Sequence, residues 1–353
     1  MLNKKLIILS PYLDLSGGVV SFVKSLKGHW NLDEIYFFRG GKKGNKILKY
    51  FHFASDLIKF LIGLITITDS KVFINTSLNK KAYQRDQLFC KLAILLQKDV
   101  YLFIHGWDND FFETIEKRFN KTPFFKTKKI FVLSKGFKNS IVKTGYLNEN
   151  IVVEHTVVDT DFINTFKDST KDFNDTSINL LYLARMEKVK GIYTVLESFK
   201  KLYYKHPNLN LDIAGIGAES ENVIAWINSN QGLPIRYHGR VEEENKKNLF
   251  KKAHFYLLPT THPEGLPISI LEAISSGCIV FVTPSGGLKD FFKDKKMGYL
   301  LNDASQNELE DKIKSALKDF DALIKITSQN LIKGQTEYSP KSLISRMKLS
   351  IYA

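Results

Sequence analysis

The sequence predicts an α/β protein with two doubly wound parallel sheets, each covered by helices. Short apolar runs rich in Ile, Val, Leu and Phe alternate with longer amphipathic segments along the chain. Uninterrupted apolar strands of this kind are typical of parallel sheets that are buried on both faces. A polar stretch at residues 159–177 separates two such series, which indicates two domains joined by a linker. The length of 353 residues also favours two domains.

Five apolar runs in each half are predicted to be strands. They occupy residues 5–10, 34–38, 71–75, 100–105 and 129–134 in the first half, and residues 178–185, 209–215, 235–239, 254–259 and 278–283 in the second. We therefore predict a first domain at residues 1–168 and a second at residues 169–335. In residues 336–353, the helical spacing of Leu343, Met347 and Ile351 predicts a helix that packs back on the first domain.

The composition is that of an ordinary globular protein, with 44% hydrophobic and 25% charged residues. Cys90 and Cys278 lie far apart in apolar runs, so we expect buried thiols in a reducing compartment and neither a disulfide nor a metal site. No signal peptide is predicted, because the first apolar run ends at Leu9. Residues 57–68 are too short to span a membrane and contain Lys59, which predicts a packed helix in a cytoplasmic protein.

Positive charge is concentrated in the first half of the chain. Of the formal net charge of +14, residues 1–170 carry +10, from 26 Lys and Arg against 16 Asp and Glu. Such a surface can bind nucleic acid, an anionic membrane or an acidic substrate. Because the sequence has no nucleic-acid-binding motif, we expect no nucleic-acid partner.

Basic residues stand beside aromatic residues in two clusters. These are Lys42, Lys43, Lys46 and Lys49 with Tyr50, Phe51 and Phe53, and Lys121, Lys126, Lys128 and Lys129 with Phe124 and Phe125. The mixture fits peripheral docking on anionic lipid headgroups at the inner face of the plasma membrane. It fits a solvated, lysine-rich surface equally well.

Glycines follow or end several predicted strands. Gly17 and Gly18 precede a helical pattern in the first half, Gly215 ends a strand, and Gly286 and Gly287 follow the last predicted strand. Glycine lets a backbone approach a ligand closely, and the helix N-terminus behind it attracts anions. The spacing matches neither a dinucleotide-binding fingerprint nor a P-loop, so the glycines alone do not identify a ligand.

Two cations stand where the second series of strands begins. Arg185 ends the first strand of that series, and Lys190 comes just before Gly191 and a predicted helix. Ligands bind such folds at the carboxyl edge of the sheet. A planar guanidinium and a compact ammonium at this spacing fit two oxygens of a diphosphate, and they also fit a simple surface loop.

Two glutamates, Glu264 and Glu272, lie in the stretch HPEGLPISILEAISSG. Free N–H groups near Gly265, Leu266 and Pro267, where the helix starts, can hold phosphate oxygens without a metal. Glu264 can accept hydrogen bonds from sugar hydroxyls, and Glu272 can accept them from a ribose. The alternative is one acid that complements the helix dipole and one solvated acid.

These elements, in this order, resemble the retaining family 4 glycosyltransferases of the GT-B fold. The resemblance rests on Arg185-x4-Lys190-Gly191, AGIGAE, YHGRV, Glu264-x7-Glu272 and Ser285-Gly286-Gly287, and it covers nearly the whole chain. It implies two Rossmann-like domains that face a central cleft. The second domain would hold a nucleotide-sugar donor and the first an acceptor, with neither a cofactor nor a metal.

The resemblance also implies roles for the candidate residues. Arg185 and Lys190 would neutralise the donor diphosphate as its charge develops. Glu264, with the backbone of residues 265–267, would hold the transferred sugar, and Glu272 would bind the ribose. Backbone close to the donor would come from Gly215, Gly286 and Gly287.

Three further assignments follow from the same resemblance. Arg240 and its neighbours would line the base pocket, and Gly17 with Gly18 would form the glycine loop of the first domain. His105, at the end of the strand in FIHGWD, would orient or polarise the donor and acceptor. The other interpretation of His105 is a purely structural imidazole.

The sequence departs from the family pattern in two places. VVEHTVVDTDF stands where Pro-Asn-Gly-Val-Asp is usual, and it puts Glu154, His155 and Thr156 there. Asp290 stands in place of the usual glutamate after the second glycine pair. Neither change removes a predicted diphosphate ligand, so both bear on the acceptor side and the hinge.

The predicted activity is that of a retaining hexosyltransferase that moves a sugar from a UDP- or GDP-sugar to a glycan or lipid-linked glycan. Bacterial surface polysaccharide synthesis, such as that of O-antigen lipopolysaccharide, capsule or exopolysaccharide, is the implied setting. No paired carboxylate nucleophile stands out, which agrees with a front-face displacement. Two alternatives stay open: a non-catalytic glycan- or membrane-binding protein of this fold, and a sugar-nucleotide epimerase.

Overall fold

The computed structural model describes residues 5–15, 17–40, 46–173, 177–262 and 265–352. It consists of two compact units, the first formed by Met1–Val157 with Pro340–Ala353 and the second by Val158–Ser339. The sequence placed the boundary after residue 168, and the structural units meet eleven residues earlier, after Val157. Each unit contains a six-stranded parallel sheet with flanking helices.

The strands of each unit alternate with helices along the chain. The first sheet contains β1 (Lys5–Ser10), β2 (Asp33–Phe38), β3 (Ser70–Leu78), β4 (Val100–Trp107), β5 (Lys129–Val132) and β6 (Ile151–Val153), in the order β2-β1-β3-β4-β5-β6. The second contains β7 (Ile178–Leu183), β8 (Leu209–Ala214), β9 (Ile235–Tyr237), β10 (Phe255–Leu258), β11 (Ile279–Val282) and β12 (Gly298–Leu300), in the order β12-β11-β10-β7-β8-β9. All ten predicted strands are present, and the doubly wound prediction is confirmed. The two strands that were not predicted, β6 and β12, have three residues each.

Helices connect these strands and follow the last of them. In chain order they are α1 (Gly18–Leu26), α2 (Lys46–Thr66), α3 (Lys80–Leu95), α4 (Asn109–Ile115), α5 (Lys135–Lys143), α6 (Thr160–Thr165), α7 (Ile192–Tyr203), α8 (Ser220–Asn228), α9 (Glu243–Lys252), α10 (Ile268–Ser275), α11 (Leu288–Phe291), α12 (Gln306–Ala316), α13 (Phe320–Thr336) and α14 (Pro340–Tyr352). None of those in the described ranges is long and apolar enough to cross a membrane.

Strand β1 shows why its sequence is apolar without interruption. Leu6 and Ile8 belong to the core on one side of the first sheet, and Ile7 and Leu9 belong to the core on the other side. Successive side chains of a strand point to opposite faces, so a strand covered on both sides has no position for a polar residue. Helix α14 contributes Leu343, Ile344, Met347 and Ile351 to the same core as Leu6 and Ile8.

The stretch at residues 159–177, predicted to be a linker, instead belongs to the second unit and contributes buried side chains to its core. Asp159 caps α6 by accepting a hydrogen bond from the N–H of Asp161 at 2.9 Å. Phe162, Ile163 and Phe166 are buried in the core of that unit. The prediction was wrong because these few apolar positions, spaced for one helical turn, lie among many polar residues.

The structure corrects one prediction about an apolar segment and adds detail to another. Phe124, expected on a lipid-facing surface, is fully buried, and Phe125 packs edge-on against Tyr146 with ring centroids 5.4 Å apart. The predicted packed helix at residues 57–68 lies largely in α2 and packs on one face only. Phe60 and Leu64 are buried, whereas Ile58 is 57% exposed. Cys90 and Cys278 are both buried and free, as expected.

Candidate functional site

Arg185 and Lys190 lie at the carboxyl edge of the second sheet, in the loop between β7 and α7. The Arg185 side chain is 63% exposed and forms a 2.5 Å ion pair with Glu187. Lys190 is buried, and its carbonyl lies 3.3 Å from the Tyr182 hydroxyl. The two cations therefore differ: a solvated guanidinium can reorient towards a ligand, whereas a buried ammonium is held in place.

Glycines hold the neighbouring loops against this one. Gly191 has φ 80°, and a Cβ built on it would lie well under 3.0 Å from the carbonyl oxygen of Pro259. Gly215 has φ 129°, and a Cβ there would collide with the carbonyl of Ala184. Both positions require glycine for conformation and for space. The loops after β8 and β10 thus pack backbone to backbone against the loop that carries the cations.

Hydrogen bonds join the loops after β7, β10 and β11. The carbonyl of Val189 accepts from the N–H of Thr261 at 2.9 Å and from the hydroxyl of Thr260 at 3.0 Å. The Ser285 hydroxyl, ahead of the second glycine pair, donates to the carbonyl of His262 at 2.5 Å. These bonds fix three loops of the second sheet as one rigid edge.

Helix α10 starts at this edge. Pro267 precedes the helix and accepts from the N–H of Ile270 at 3.1 Å, and the helix has no side-chain cap in the described structure. The hydroxyl of Tyr256 lies 2.9 Å from the carbonyl of Leu183 and 2.8 Å from Ser269 Oγ, which ties the helix start to β7. The first N–H groups of a helix have no partner within the helix, so those at the start of α10 can bind an anion.

Glu264, predicted to hold the transferred sugar, lies outside the described residues. Its neighbour Gly265 is half-buried and Leu266 is buried. The structure therefore bears on the backbone that follows Glu264, and the role of its carboxylate stays a prediction.

Glu272, the predicted ribose ligand, is a buried carboxylate on α10. Its Oε1 lies 2.5 Å from Nζ of Lys246 on α9. The Lys246 ammonium also stands over the Phe162 ring, 5.6 Å from its centroid. Sequence reasoning did not find Lys246, because it lies 26 residues before Glu272 and only the packing of α9 against α10 pairs them.

Three other residues predicted to bind the donor, Arg240, Gly286 and Gly287, also belong to the second unit. Arg240 pairs with Glu242 at 2.6 Å and lines a surface cavity of about 370 Å³ together with His238 and Asn245. Gly286 has φ 57°, a left-handed conformation that favours glycine, and Gly287 precedes α11. Asp290 is exposed on α11.

In the first unit, Gly17 precedes α1 with φ 140°, which favours glycine, and Gly18 begins the helix. His105 lies near the carboxyl end of β4 with its ring stacked on Phe103, centroids 4.3 Å apart. Burial, with a smaller contribution from the positive charge of Arg39, lowers the pKa of His105 to about 3. The imidazole is therefore neutral in the physiological range.

The tautomer of His105 follows from its partner. His105 Nε2 lies 3.0 Å from Oδ1 of Asn75, and the amide Nδ2 of Asn75 donates to the carbonyl of Leu9 at 3.4 Å. Because this orients Asn75 with its oxygen towards the ring, Nε2 must carry the hydrogen. Nδ1 is then the atom that can accept a hydrogen bond.

A buried ion pair between Arg39 and Asp86 contacts the backbone of Asn75. Arg39 Nη2 lies 3.0 Å from Oδ2 of Asp86, and both side chains are almost wholly inaccessible. Arg39 Nη2 also donates to the carbonyl of Asn75, and the hydroxyl of Thr76 donates to Asp86 at 2.5 Å. Sequence reasoning missed this group, since Arg39 follows an ordinary strand and Asp86 lies inside a helix with no motif around either.

Two of the residues that depart from the family pattern, Glu154 and His155, contact the last helix of the chain. The buried Glu154 forms a 3.0 Å ion pair with Arg346 of α14. The same guanidinium lies 2.8 Å from Nε2 of His155. Among the residues that the structure describes, no three side chains of His, Cys, Asp or Glu are placed to hold a metal ion.

The arrangement of each unit defines the class of protein. Two parallel six-stranded sheets with flanking helices, each with its polar loops at the carboxyl edge, form the GT-B fold. Residues 164–334 match the family model described as Glycosyl transferases group 1. The match lies within the second unit of the chain, which is therefore similar to the glycosyltransferases of that group.

Relatives extend the comparison. An uncharacterised glycosyltransferase of Methanocaldococcus jannaschii is 22% identical over 275 residues, which are 74% of this chain and 68% of that protein. The poly(glycerol-phosphate) alpha-glucosyltransferase of Bacillus subtilis is 25% identical over 170 residues, 48% of this chain but only 25% of that protein. The crystal structure of Anabaena HepE in complex with UDP and glucose has a TM-score of 0.72 at 12% identity, and the match covers 99% of this chain and 100% of HepE.

Proposed function

We propose that this protein is a retaining, metal-independent glycosyltransferase that transfers a hexose from a UDP- or GDP-sugar to a glycan or a lipid-linked glycan. The observation that carries the proposal is the edge of the second sheet, where Arg185, Lys190 and the start of α10 are held by tightly packed glycine loops. HepE, which shares the fold, was crystallised with UDP and glucose. A nucleotide diphosphate is the ligand whose charge and size suit this edge.

The role proposed for the carboxyl edge of the second sheet is to stabilise the diphosphate as it leaves the sugar. When the bond between the sugar and the diphosphate breaks, negative charge grows on the β-phosphate oxygens. Arg185 can leave Glu187 and bind those oxygens with two parallel N–H donors, while Lys190 and the N–H groups at the start of α10 add fixed positive charge. No protein group has to take up or release a proton for this step.

The neutral His105 suits a positioning role for the same reaction. An imidazole whose pKa is about 3 does not protonate the leaving group at neutral pH. Its Nδ1 can instead accept a hydrogen bond from a hydroxyl of the sugar or the acceptor, because Nε2 is held by Asn75. This agrees with a front-face displacement, in which the acceptor oxygen bonds to the anomeric carbon as the bond to the diphosphate breaks, and the acceptor proton passes to the leaving phosphate oxygen rather than to a carboxylate.

The proposals for the acceptor and the pathway rest on a relative of this chain and on the charge of its first half. The Bacillus subtilis relative is named for glucosyl transfer to poly(glycerol phosphate), a polyanionic surface polymer. The net charge of +10 over residues 1–170 suits an acceptor that carries phosphate. We therefore propose a role in bacterial surface polysaccharide synthesis.

The proposal is tested by measuring release of UDP or GDP from a panel of nucleotide sugars, with and without candidate acceptors. A thermal-shift screen of the same donors comes first, because a ligand that binds only the folded state raises its apparent stability. Anomeric configuration of the product, read by NMR, distinguishes retention from inversion. Absence of both nucleotide binding and turnover with every donor would refute the proposal.

Variants test the assignment of residues. Arg185→Ala should lower kcat and donor affinity together, by about 10² in kcat/KM, and Glu264→Ala should abolish transfer. Arg236→Ala, which removes an exposed arginine from β9 of the same unit, is the matched control and should leave transfer unchanged. Nucleotide binding without turnover would favour a binding protein, and donor conversion without acceptor would favour an epimerase.

A further inference from the structure

Helix α2 has an apolar outer face that the core does not use. Six residues recur every three or four positions along one side of the helix and are exposed: Ile47, Phe51, Ala54, Ile58, Ile62 and Ile65. Each of the five large ones has more than half of its surface accessible. At 1.5 Å per residue this outer face is roughly 27 Å long.

The opposite side of α2 packs on the core of the first unit. Phe60 and Leu64 are buried, and the Phe60 ring meets Phe37 and Phe89 with centroids 5.5 and 5.3 Å apart. The outer isoleucines therefore add nothing to this core, and β-branched residues are poor helix formers on a solvent-facing side. A continuous exposed apolar stripe of this kind marks a surface that meets another apolar phase.

The charged side chains that α2 and α3 expose have one sign. The sequences of α2 and the adjacent α3 contain a single acid each, Asp56 and Asp86, and both are buried. Asp56 lies 2.5 Å from the hydroxyl of Tyr12, and Asp86 is paired with Arg39. The lysines of these two helices whose side chains the structure describes are exposed: Lys49, Lys59, Lys80, Lys81 and Lys91.

We propose that the outer face of α2 docks on an anionic lipid bilayer, with the helix lying in the plane of the headgroups. The isoleucines and Phe51 would enter the acyl boundary while Lys49 and Lys59 contact lipid phosphates. None of the helices that the structure describes can cross a membrane, so α2 lies on the surface. This inference goes beyond the transfer reaction and does not depend on it.

Charge argues against a second copy of the chain as the occupant. A two-fold interface brings the same patch of both subunits together, so the lysines beside the outer face of α2 would face their own copies. Like charges at that distance repel. The outer face of α2 also offers only six residues, whereas stable interfaces use roughly 20 to 30 residues a side.

Co-sedimentation with vesicles tests the proposal on the full-length chain without nucleotide. We expect binding to phosphatidylcholine vesicles that contain about a third phosphatidylglycerol, weaker binding as salt rises, and little binding to phosphatidylcholine alone. The double variant Ile58→Glu with Ile62→Glu should lose at least about tenfold in vesicle affinity. Ile332→Glu on α13 is the matched control, since Ile332 is 61% exposed, and it should bind like the unaltered chain.

A second readout reports insertion directly. Phe51→Trp adds a fourth tryptophan, on the outer face of α2, and its emission, taken as the difference from the unaltered chain with Trp30, Trp107 and Trp226, should shift to shorter wavelength with the phosphatidylglycerol vesicles only. Thermal unfolding establishes that the variants fold. Failure of the unaltered chain to bind anionic vesicles would overturn the proposal, as would equal losses in the α2 variant and the Ile332 control. A dimer in solution that Ile58→Glu with Ile62→Glu converts to a monomer would instead identify a second copy as the occupant.

Discussion

Asn75 and His105 are joined by a hydrogen bond of 3.0 Å that decides which nitrogen of the imidazole carries the proton. Asn75 lies on β3 and His105 on the neighbouring β4, so the bond forms across two parallel strands at their carboxyl ends. The carbonyl of the same Asn75 accepts from the buried Arg39. An imidazole with a set tautomer, oriented by two buried groups behind it, is suited to positioning a hydroxyl.

Replacing Asn75 should therefore impair transfer more than binding. Asn75→Leu removes the acceptor for Nε2–H, so the ring can rotate or change tautomer, and kcat should fall by about 10- to 100-fold with a donor KM within about twofold. Steady-state kinetics measures both. Asn75→Asp retains an oxygen that accepts from Nε2 and should recover part of the loss; equal activity of the Leu variant and the unaltered enzyme would contradict the role.

The depressed pKa of His105 makes stability depend on pH. In the folded chain its pKa is about 3, and in the unfolded chain it is near the ordinary value of about 6.5. Between these values the unfolded state binds the proton, so the free energy of unfolding should fall as the pH drops from about 7 towards 4. Urea unfolding at a series of pH values measures this slope.

His105→Gln should reduce that loss of stability on acidification. His254, whose pKa burial also lowers, contributes with the same sign in both proteins and leaves a residual slope. His29→Gln, a change at a half-buried histidine of the first unit, is the control. Identical slopes for the unaltered chain and His105→Gln would show that the ring is not held neutral by the fold.

Glu272 offers a test that separates binding from stability. Glu272→Gln weakens the 2.5 Å pair with Lys246 and should lower the free energy of unfolding by about 1 to 2 kcal/mol. If the carboxylate also accepts from a ribose, nucleotide affinity measured by calorimetry should fall by about tenfold.

Glu310→Gln is the matched control for Glu272. Glu310 is likewise buried and likewise paired with a lysine, Lys314, within α12. It should cost similar stability and leave nucleotide affinity unchanged. Similar losses of affinity in both variants would assign Glu272 to structure alone.

Gly191→Ala should destabilise the second unit by about 2 kcal/mol or more, because the added methyl group meets the Pro259 carbonyl and φ is 80°. Gly232→Ala adds its methyl group in open space and should change stability by less than about 0.5 kcal/mol. Urea unfolding of both variants compares them. A small effect at Gly191 would mean that the two loops move apart easily.

Asp86→Asn should destabilise the first unit by about 3 kcal/mol, because the buried Arg39 then has no charged partner at 3.0 Å. Asp33→Asn, at an exposed position on β2, is the control and should be nearly neutral. Thermal or urea unfolding measures the difference. Equal stabilities would show that the attraction between Arg39 and Asp86 does no more than offset the cost of burying their charges.

Strands were the most predictable part of this protein, and short or mixed segments were the least. A parallel strand covered on both faces must be apolar at every position, so ten strands could be located from runs such as KLIILS. Strands β6 and β12 are too short for such a signal. Helix α6 was not predicted, because its apolar residues Phe162, Ile163 and Phe166 are outnumbered by polar neighbours.

By itself the sequence determined the two-sheet architecture and the placement of Arg185, Lys190, Gly191 and Gly215 at strand ends, since those features depend on periodicity and local turns. Tertiary structure alone decided which side chains meet. Lys246 is paired with Glu272, 26 residues away in the chain, and Asn75 is paired with His105, 30 residues away. Strand register and helix packing set such distances, and neither leaves a local trace in the sequence, so these pairs emerged only from the folded chain.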